Sequence, residues 1–291
     1  MIALAMATNA RAGCRLERRA DAPLRLVEDF PIVVASVGST PVCFLLDTGA
    51  QGHLILPEAA EALRLPQLPG TVPVIGTGGA REAPLVVLAG VRLGAAGLPA
   101  LPTPVAELPL VPQVTPMLAG LLGAPLLATY DFDLDVASGR IELYDAGACG
   151  MATPVLGPQI AVVPLTVTPA SEALLSVRVN GQRIVALLDT GSRATLLTQE
   201  AGRRLGLKAP TSANTARGVD GERLPLEHVR VRELAVGDDV RRDVPVSLAP
   251  LQLGAAEMLL GLDYLRQRRV WISYATGQLA IALPSPAPST R

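Results

Sequence analysis

Leu45-Leu46-Asp47-Thr48-Gly49 stands near the start of the chain, and Leu187-Leu188-Asp189-Thr190-Gly191 repeats it letter for letter. The flanks repeat as well. Upstream, Ile32–Gly38 and Ala173–Gly181 each predict a strand and a tight turn before the apolar strand that runs into Asp-Thr-Gly. Downstream, Leu56–Leu63 and Thr198–Leu205 read as short helices, with Pro57 suited to a first turn and Thr198 to an N-cap. Gly76-Thr77-Gly78-Gly79-Ala80 is matched by Gly218-Val219-Asp220-Gly221, each a glycine-rich hairpin tip. Leu121-Leu122-Gly123 is matched by Leu259-Leu260-Gly261. Asp131–Leu143 and Val270–Ile281 read as strand pairs turning at Ser138-Gly139 and Thr276-Gly277. The chain is therefore two copies of one unit of roughly 120 residues.

Composition narrows the function classes. Of 291 residues, 49% are hydrophobic and 18% charged, which excludes wholesale disorder. Net charge is −1, from 25 basic and 26 acidic residues, and aromatics are 3%; both argue against a nucleic-acid surface. No run approaches about 18 uninterrupted apolar residues, so no membrane-spanning helix is expected. The 27 glycines and 26 prolines favour many short strands over long helices. Lys208 is the sole lysine among the basic residues, the rest being arginine, which reads as a GC-rich and bacterial coding sequence.

Five segments follow: an N-terminal segment 1–24 read as a signal-peptide remnant, a first lobe 25–146, a linker 147–160, a second lobe 161–284 and a flexible tail 285–291. Ala10-Arg11-Ala12 fits a cleavage signal, which suggests a periplasmic or secreted protein. A Cys14–Cys149 disulfide would suit that compartment, with Cys43 a buried thiol. The alternative is a cytoplasmic protein with three unpaired thiols.

One Asp-Thr-Gly is ordinary turn chemistry. Two copies, each ending a buried strand, point to a carboxylate pair. A two-fold arrangement can bring Asp47 and Asp189 together, where two close carboxylates share a proton. The ionised member can activate a water as general base, while the protonated member polarises a carbonyl. Gly49 and Gly191 allow close backbone approach, and the Thr48 and Thr190 hydroxyls can bond the opposite unit.

The order apolar-apolar-Asp-Thr-Gly-Ala/Ser, glycine-rich flap, apolar-apolar-Gly resembles the retropepsin-like aspartic proteases, over about 25–145 and 160–283 separately. This chain resembles two such units fused, a two-lobed arrangement that pepsin-like enzymes also use. The resemblance implies an all-β fold of two similar closed β-barrel lobes. Each lobe would carry one or two short helices, with the catalytic cleft between the lobes. It implies Asp47 and Asp189 as catalytic acids, supported by Thr48, Gly49, Thr190, Gly191 and Ser192. Gly78, Gly79, Gly218 and Gly221 would form flaps over an extended peptide. The implied function is an aspartic endopeptidase with no cofactor and no metal, active as a monomer on peptide or protein substrates. Neither flap carries the tyrosine typical of pepsin-like enzymes.

The residue after Asp-Thr-Gly differs, Ala50 against Ser192. A Ser192 hydroxyl bonded to Asp189 would make Asp189 the more acidic member. Arg193 either binds an acidic substrate group or points to solvent. The alternation of Asp131-Phe132-Asp133-Leu134-Asp135 predicts a half-exposed strand with its aspartates on the solvent face. Asp238-Asp239 after Gly237 reads as a polar turn. The two histidines, His53 and His228, and the scattered cysteines have no zinc spacing. The alternative to an enzyme is a catalytically silent peptide-binding or scaffolding protein on the same fold.

Overall fold

The computed structural model describes residues 16–76, 79–108, 111–147, 156–157, 159–208, 213–217 and 223–284. Cys14, Cys149, Gly78, Gly218, Gly221 and the tail 285–291 lie outside the described residues. No helix among the described residues is long and apolar enough to cross a membrane.

The decisive strands of each lobe are those that end in the repeated motif. Val42-Cys43-Phe44-Leu45-Leu46 is buried along its whole length. It has a hydrogen-bonded neighbour at each edge, and core side chains pack on both of its faces. Strand Thr40–Asp47 pairs antiparallel with Phe30–Val37 and parallel with Leu118–Gly123. Strands covered on both faces read as continuous apolar runs rather than alternations. The second lobe repeats this, Gln182–Leu188 lying between Ala173–Val179 and Met258–Leu260. Ile32↔Leu45 and Leu174↔Leu187 hold the same register, so the two units match at a constant offset from the first hairpin strand to the aspartate. The hairpin turns then align Gly38 with Asn180, both at positive φ (58° and 51°), a conformation that glycine and asparagine tolerate best.

The second lobe closes into a six-stranded barrel. Its strands run Ala173–Val179, Gln182–Leu188, Met258–Leu260, Leu196–Thr198, Asp239–Ala249, Arg223–Val236 and back to Ala173–Val179. The first lobe follows the same path in two pieces. Where the second lobe has the long strand Arg223–Val236, the first has Gly79–Leu88 and Val91–Leu93, separated at Gly90 with φ +71°. Its hairpin Gln67–Gly76/Gly79–Leu88 therefore forms a separate three-stranded sheet with Leu101–Pro104. Each lobe carries two short helices: Pro57–Ala62 and Ala124–Leu127, then Gln199–Arg204 and Leu262–Leu265. Pro57 opens the first, and the Thr198 hydroxyl caps the third by accepting from the Ala201 N–H at 3.1 Å, as their residue types predict.

A six-stranded antiparallel sheet joins the lobes. Its order is Arg18–Pro23, Arg140–Asp145, Tyr130–Asp135, Val270–Ser273, Gln278–Ala282 and Ile160–Pro164. The pseudo-two-fold passes between Asp133 and Trp271, repeat equivalents that pair with each other. Residues 18–23, assigned from sequence to the N-terminal segment, thus form an edge strand of this sheet. The second lobe's first strand begins at Ile160, inside the expected linker.

Two sequence expectations fail here, the second in part. Asp131 and Asp133 do form a strand, yet both are buried, at 3% and 1% exposure. Their strand is central in the sheet, and the face they share with Tyr144 and Trp271 is covered by Leu16, Leu156 and the Arg269 side chain. Asp133 accepts a two-pronged bond from Arg269 of the other lobe, Nε to Oδ1 at 3.0 Å and Nε to Oδ2 at 2.9 Å. Asp131 accepts the Gly147 N–H at 2.9 Å. Burial holds both carboxyls above their ordinary range. The polar turn stands at Gly237-Asp238, but Asp239 already belongs to the strand that leaves it. Asp239 is buried and accepts from Tyr264 Oη (2.7 Å), Arg241 Nε (3.1 Å) and Arg268 Nη2 (3.1 Å). Burial alone would raise its pKa, but these donors hold it below the ordinary value.

Candidate active site

Asp47 ends one buried strand and Asp189 follows another, so both carboxyls arrive at the boundary between the lobes. The threonines after them interlock. The Thr48 hydroxyl donates to Leu188 O (2.8 Å) and accepts from the Thr190 N–H (3.0 Å). In return, the Thr190 hydroxyl donates to Leu46 O (2.7 Å) and accepts from the Thr48 N–H (3.0 Å). All four bonds cross between lobes, and both threonines are wholly buried. Thr48→Val keeps the shape but leaves Leu188 O and the Thr190 N–H without partners. It is expected to cost about 3 kcal/mol, each orphaned buried group being worth about 1–3 kcal/mol. The midpoint of urea unfolding, with the slope checked for constancy, reads this directly.

The glycines are required by the same geometry. A Cβ on Gly49 would stand 2.4 Å from Asp189 Cγ, and one on Gly191 2.3 Å from Asp47 Cγ. Each glycine therefore carries the opposite lobe's carboxyl against its backbone. Beneath them, a Cβ on Gly123 would meet Gly52 O at 1.8 Å, and one on Gly261 would meet Ala194 C at 2.5 Å. The following amides fasten the loops, Ala124 N–H to Ala50 O (2.9 Å) and Leu262 N–H to Ser192 O (2.7 Å). Leu121-Leu122-Gly123 and Leu259-Leu260-Gly261 thus underpin the two aspartate loops.

The electrostatics are those of a buried carboxyl pair. Burial raises both pKa values, and the neighbouring Asp47 charge pushes Asp189 up further. Asp47 Oδ1 accepts two backbone N–H groups, from Gly49 (2.9 Å) and Ala50 (3.0 Å). Asp189 Oδ1 accepts one, from Ser192 (2.9 Å). The Ser192 hydroxyl turns away and donates to Ala194 O at 2.8 Å. That overturns the expectation that it makes Asp189 the more acidic member. The backbone donors favour charge on Asp47 instead. Ser192→Ala is accordingly expected to leave the acid limb of any pH–rate profile unmoved, which a rate series from pH 3 to 6 would check.

The flap expectations stand partly outside the description. Gly79 opens the strand Gly79–Leu88 and pairs with Gly76 at the end of its hairpin. In the second lobe, Ala213–Arg217 pairs with Arg223–Val236 up to Arg217↔Arg223, on either side of residues 218–222, which lie outside the described residues. Cys43 is a fully buried free thiol, with Arg25 Nη2 3.5 Å from its sulfur.

Three neighbours of the site make contacts that their own residue types do not specify, and the sequence marks Arg193 only as a substrate-binding or solvent-facing residue. Gln51 Nε2 donates to Glu172 Oε1 across the lobes at 2.8 Å. Arg193 stays exposed, with its guanidinium carbon 4.8 Å from the Phe30 ring centroid in the first lobe. Tyr274 is buried, its Oη has no partner among the described residues, and burial with the field of Asp47 raises its pKa. The repeat offset could have located the first two contacts, because it equates Gln51 with Arg193 and Phe30 with Glu172. Nothing in the sequence brings Tyr274 to the aspartates.

A family model described as aspartyl protease matches residues 33–126 and 175–264, together more than half of the chain and one segment in each lobe. DNA damage-inducible protein 1 of Yarrowia lipolytica is 29% identical over 110 residues, which are 37% of this chain and 27% of that protein. The chain spans about a quarter of the length of that curated relative. Among solved structures, an aspartic proteinase from Irpex lacteus superposes with a TM-score of 0.54 at 14% identity, covering 93% of this chain and 98% of that one. Basic 7S globulin from soybean gives 0.52 at 14% identity, covering 92% and 96%. At such identity, these two establish the shared two-lobed architecture alone.

Proposed function

The chain belongs to the aspartyl protease family, with one copy of the family's unit in each lobe, and from that premise we propose that it is an endopeptidase acting through Asp47 and Asp189. The observation that carries the reading is the reciprocal arrangement at the lobe boundary. Each aspartyl loop is fixed by the other lobe's threonine, and each carboxyl lies against the other lobe's glycine. A merely structural pair of buried acids has no need of that symmetry. It costs stability unless something uses the shared proton.

In this reading, Asp47 with its two amide donors carries the negative charge and Asp189 the proton. Asp47 takes a proton from a water held between the carboxyls, and the water oxygen attacks the peptide carbonyl carbon. Asp189 gives its proton to the carbonyl oxygen as the tetrahedral diol forms. Collapse of the diol breaks the C–N bond as ionised Asp189 takes a proton back from one diol hydroxyl and the proton acquired by Asp47 passes to the leaving amine, which restores the starting protonation of the pair. No covalent intermediate arises, and no cofactor is needed. An extended peptide would lie between lobes, with the glycine-tipped hairpins supplying backbone partners. Because both halves lie in one chain, a single copy supplies the whole site.

The test is cleavage of a diverse peptide library between pH 3 and 8, read by mass spectrometry, with Asp47→Asn beside the wild type. Cuts made by the wild type and reduced at least about 10³-fold in the variant are expected, the size of a lost general base. Identical cut patterns in both would sink the proposal. Absence of cutting, together with tight peptide binding, would favour the scaffolding alternative.

A further inference from the structure

Two interlobe contacts beside the aspartate loops are equivalent by the repeat but differ in charge. Residues four positions after each aspartate, Gln51 and Arg193, reach across the lobe boundary to the residues at the head of the opposite hairpin, Glu172 and Phe30. The register equates the members of each couple, as Ile32↔Leu45 and Leu174↔Leu187 show. The same bridge is therefore built twice, once on each side of the carboxyl pair. On one side, it consists of a carboxylate and an amide. On the other, it consists of a guanidinium on an aromatic ring.

The charges at these bridges are not neutralised by neighbours. Arg193 makes no ion pair among the described residues. The nearest acid in sequence to Phe30, Asp29, gives its carboxylate to Arg266 at 2.5 Å. Phe30 is buried beneath Arg193, so the ring fixes the guanidinium without consuming its N–H donors. Glu172 is held by the Gln51 amide and by the Thr168 hydroxyl at 3.1 Å, neither of which carries charge. One of the two contacts thus presents an anchored cation, the other an anchored anion.

We propose that the cleft is polar end to end and selects peptides with an acidic side chain on one side of the central bond and a basic side chain on the other. The acidic side chain meets Arg193 and the basic one meets Glu172. With the peptide bound in one fixed chain direction, only one of the two dipolar orders fits; the reversed order places like charges together at both ends. This inference rests on the reading of the interlobe cleft as the peptide site.

The experiment separates that reading from this inference. Five ten-residue peptides share an apolar centre whose scissile amide is replaced by an uncleavable hydroxyethylene group. Their flanks are acidic–basic, basic–acidic, doubly acidic, doubly basic and neutral. Binding to the wild-type chain is measured by calorimetry at pH 6 in low salt, and the matching cleavable peptides are assayed for turnover. One dipolar peptide is expected to bind about tenfold more tightly than the other four, as two partly exposed ion pairs would give. That preference should shrink as salt rises. In Arg193→Glu/Glu172→Arg, the order of the two dipolar peptides should invert, and in Arg193→Gln the preference should fall. Equal binding of all five peptides by the wild type would overturn the inference without any variant being needed. Turnover with no charge preference leaves the endopeptidase standing and removes the polarity. A preference without turnover keeps the polarity and removes the endopeptidase.

Discussion

Asp189→Asn should make the protein more stable at pH 7 while removing peptide hydrolysis. The two effects share one cause. In the folded state, burial and the neighbouring Asp47 hold the Asp189 pKa well above its ordinary value of 3.8. The folded chain therefore binds that proton more tightly than the unfolded chain does. Where a folded pKa is raised, the unfolded state is the better acid, and stability falls as pH rises from the unfolded value through the folded one. The wild type should thus lose stability upward from about pH 4, each tenfold difference in proton affinity being worth about 1.4 kcal/mol. An amide at 189 carries no such term. The variant should be more stable than the wild type at pH 7 and should gain little or nothing at pH 4. The melting temperature should rise accordingly at pH 7, by roughly 2 °C for each kcal/mol gained in a chain of this size. Scanning calorimetry of both proteins at pH 4, 5.5 and 7 gives the comparison. A variant destabilised equally at all three would show that Asp189 is a structural acceptor and no strained acid. Activity should fall at least about 10³-fold, because an amide can neither hold nor return the proton.

Arg269→Leu should be the most damaging single change away from the aspartates. Arg269 is the partner of Asp133 at the centre of the interlobe sheet, where Asp133 is 1% exposed. Even with Arg269 present, burial keeps the Asp133 carboxyl above its ordinary range. Removing the guanidinium leaves a buried carboxyl that must protonate or stay charged without its partner. The expected cost is about 3–5 kcal/mol at pH 7, typical of breaking one side of a buried ion pair. The loss should ease toward pH 4, since a protonated Asp133 no longer needs a counter-charge and its raised folded pKa favours low pH. Asp133→Asn combined with Arg269→Leu should recover part of the stability, because the pair itself contributes little beyond cancelling its own burial. A double-mutant cycle in urea at pH 7 measures the coupling. Additive losses would mean that the two side chains do not depend on each other.

The lobes, their internal symmetry and the paired aspartates were legible in the chain because each is encoded locally and then repeated. Val42–Leu46 and Val185–Leu188 are apolar runs ending in Asp-Thr-Gly, and a repeated local pattern must build a repeated local structure. Pro57 and Thr198 announce helix starts through their own backbone and side-chain chemistry. The glycines of the two motifs announce a close approach, although not what approaches.

Tertiary structure decided everything that depends on which residue faces which across the lobe boundary. The alternation of Asp131, Asp133 and Asp135 specifies a strand, but solvent exposure belongs to the sheet that receives it. Here Arg269 of the other lobe, together with Leu16 and Leu156, covers the face that alternation alone would have left wet. Ser192 has a hydroxyl that could reach Asp189. The carbonyl of Ala194 captures it because the loop turns back on itself there. Gln51 carries no mark in the sequence and Arg193 only its place beside the motif, until Glu172 and Phe30 arrive from more than a hundred residues away. Sequence determined the two halves, since local pattern and repetition suffice for that. The proton balance of the carboxyl pair and the charge on either side of it arise only where the halves meet, because burial and partnership are properties of the assembled interface.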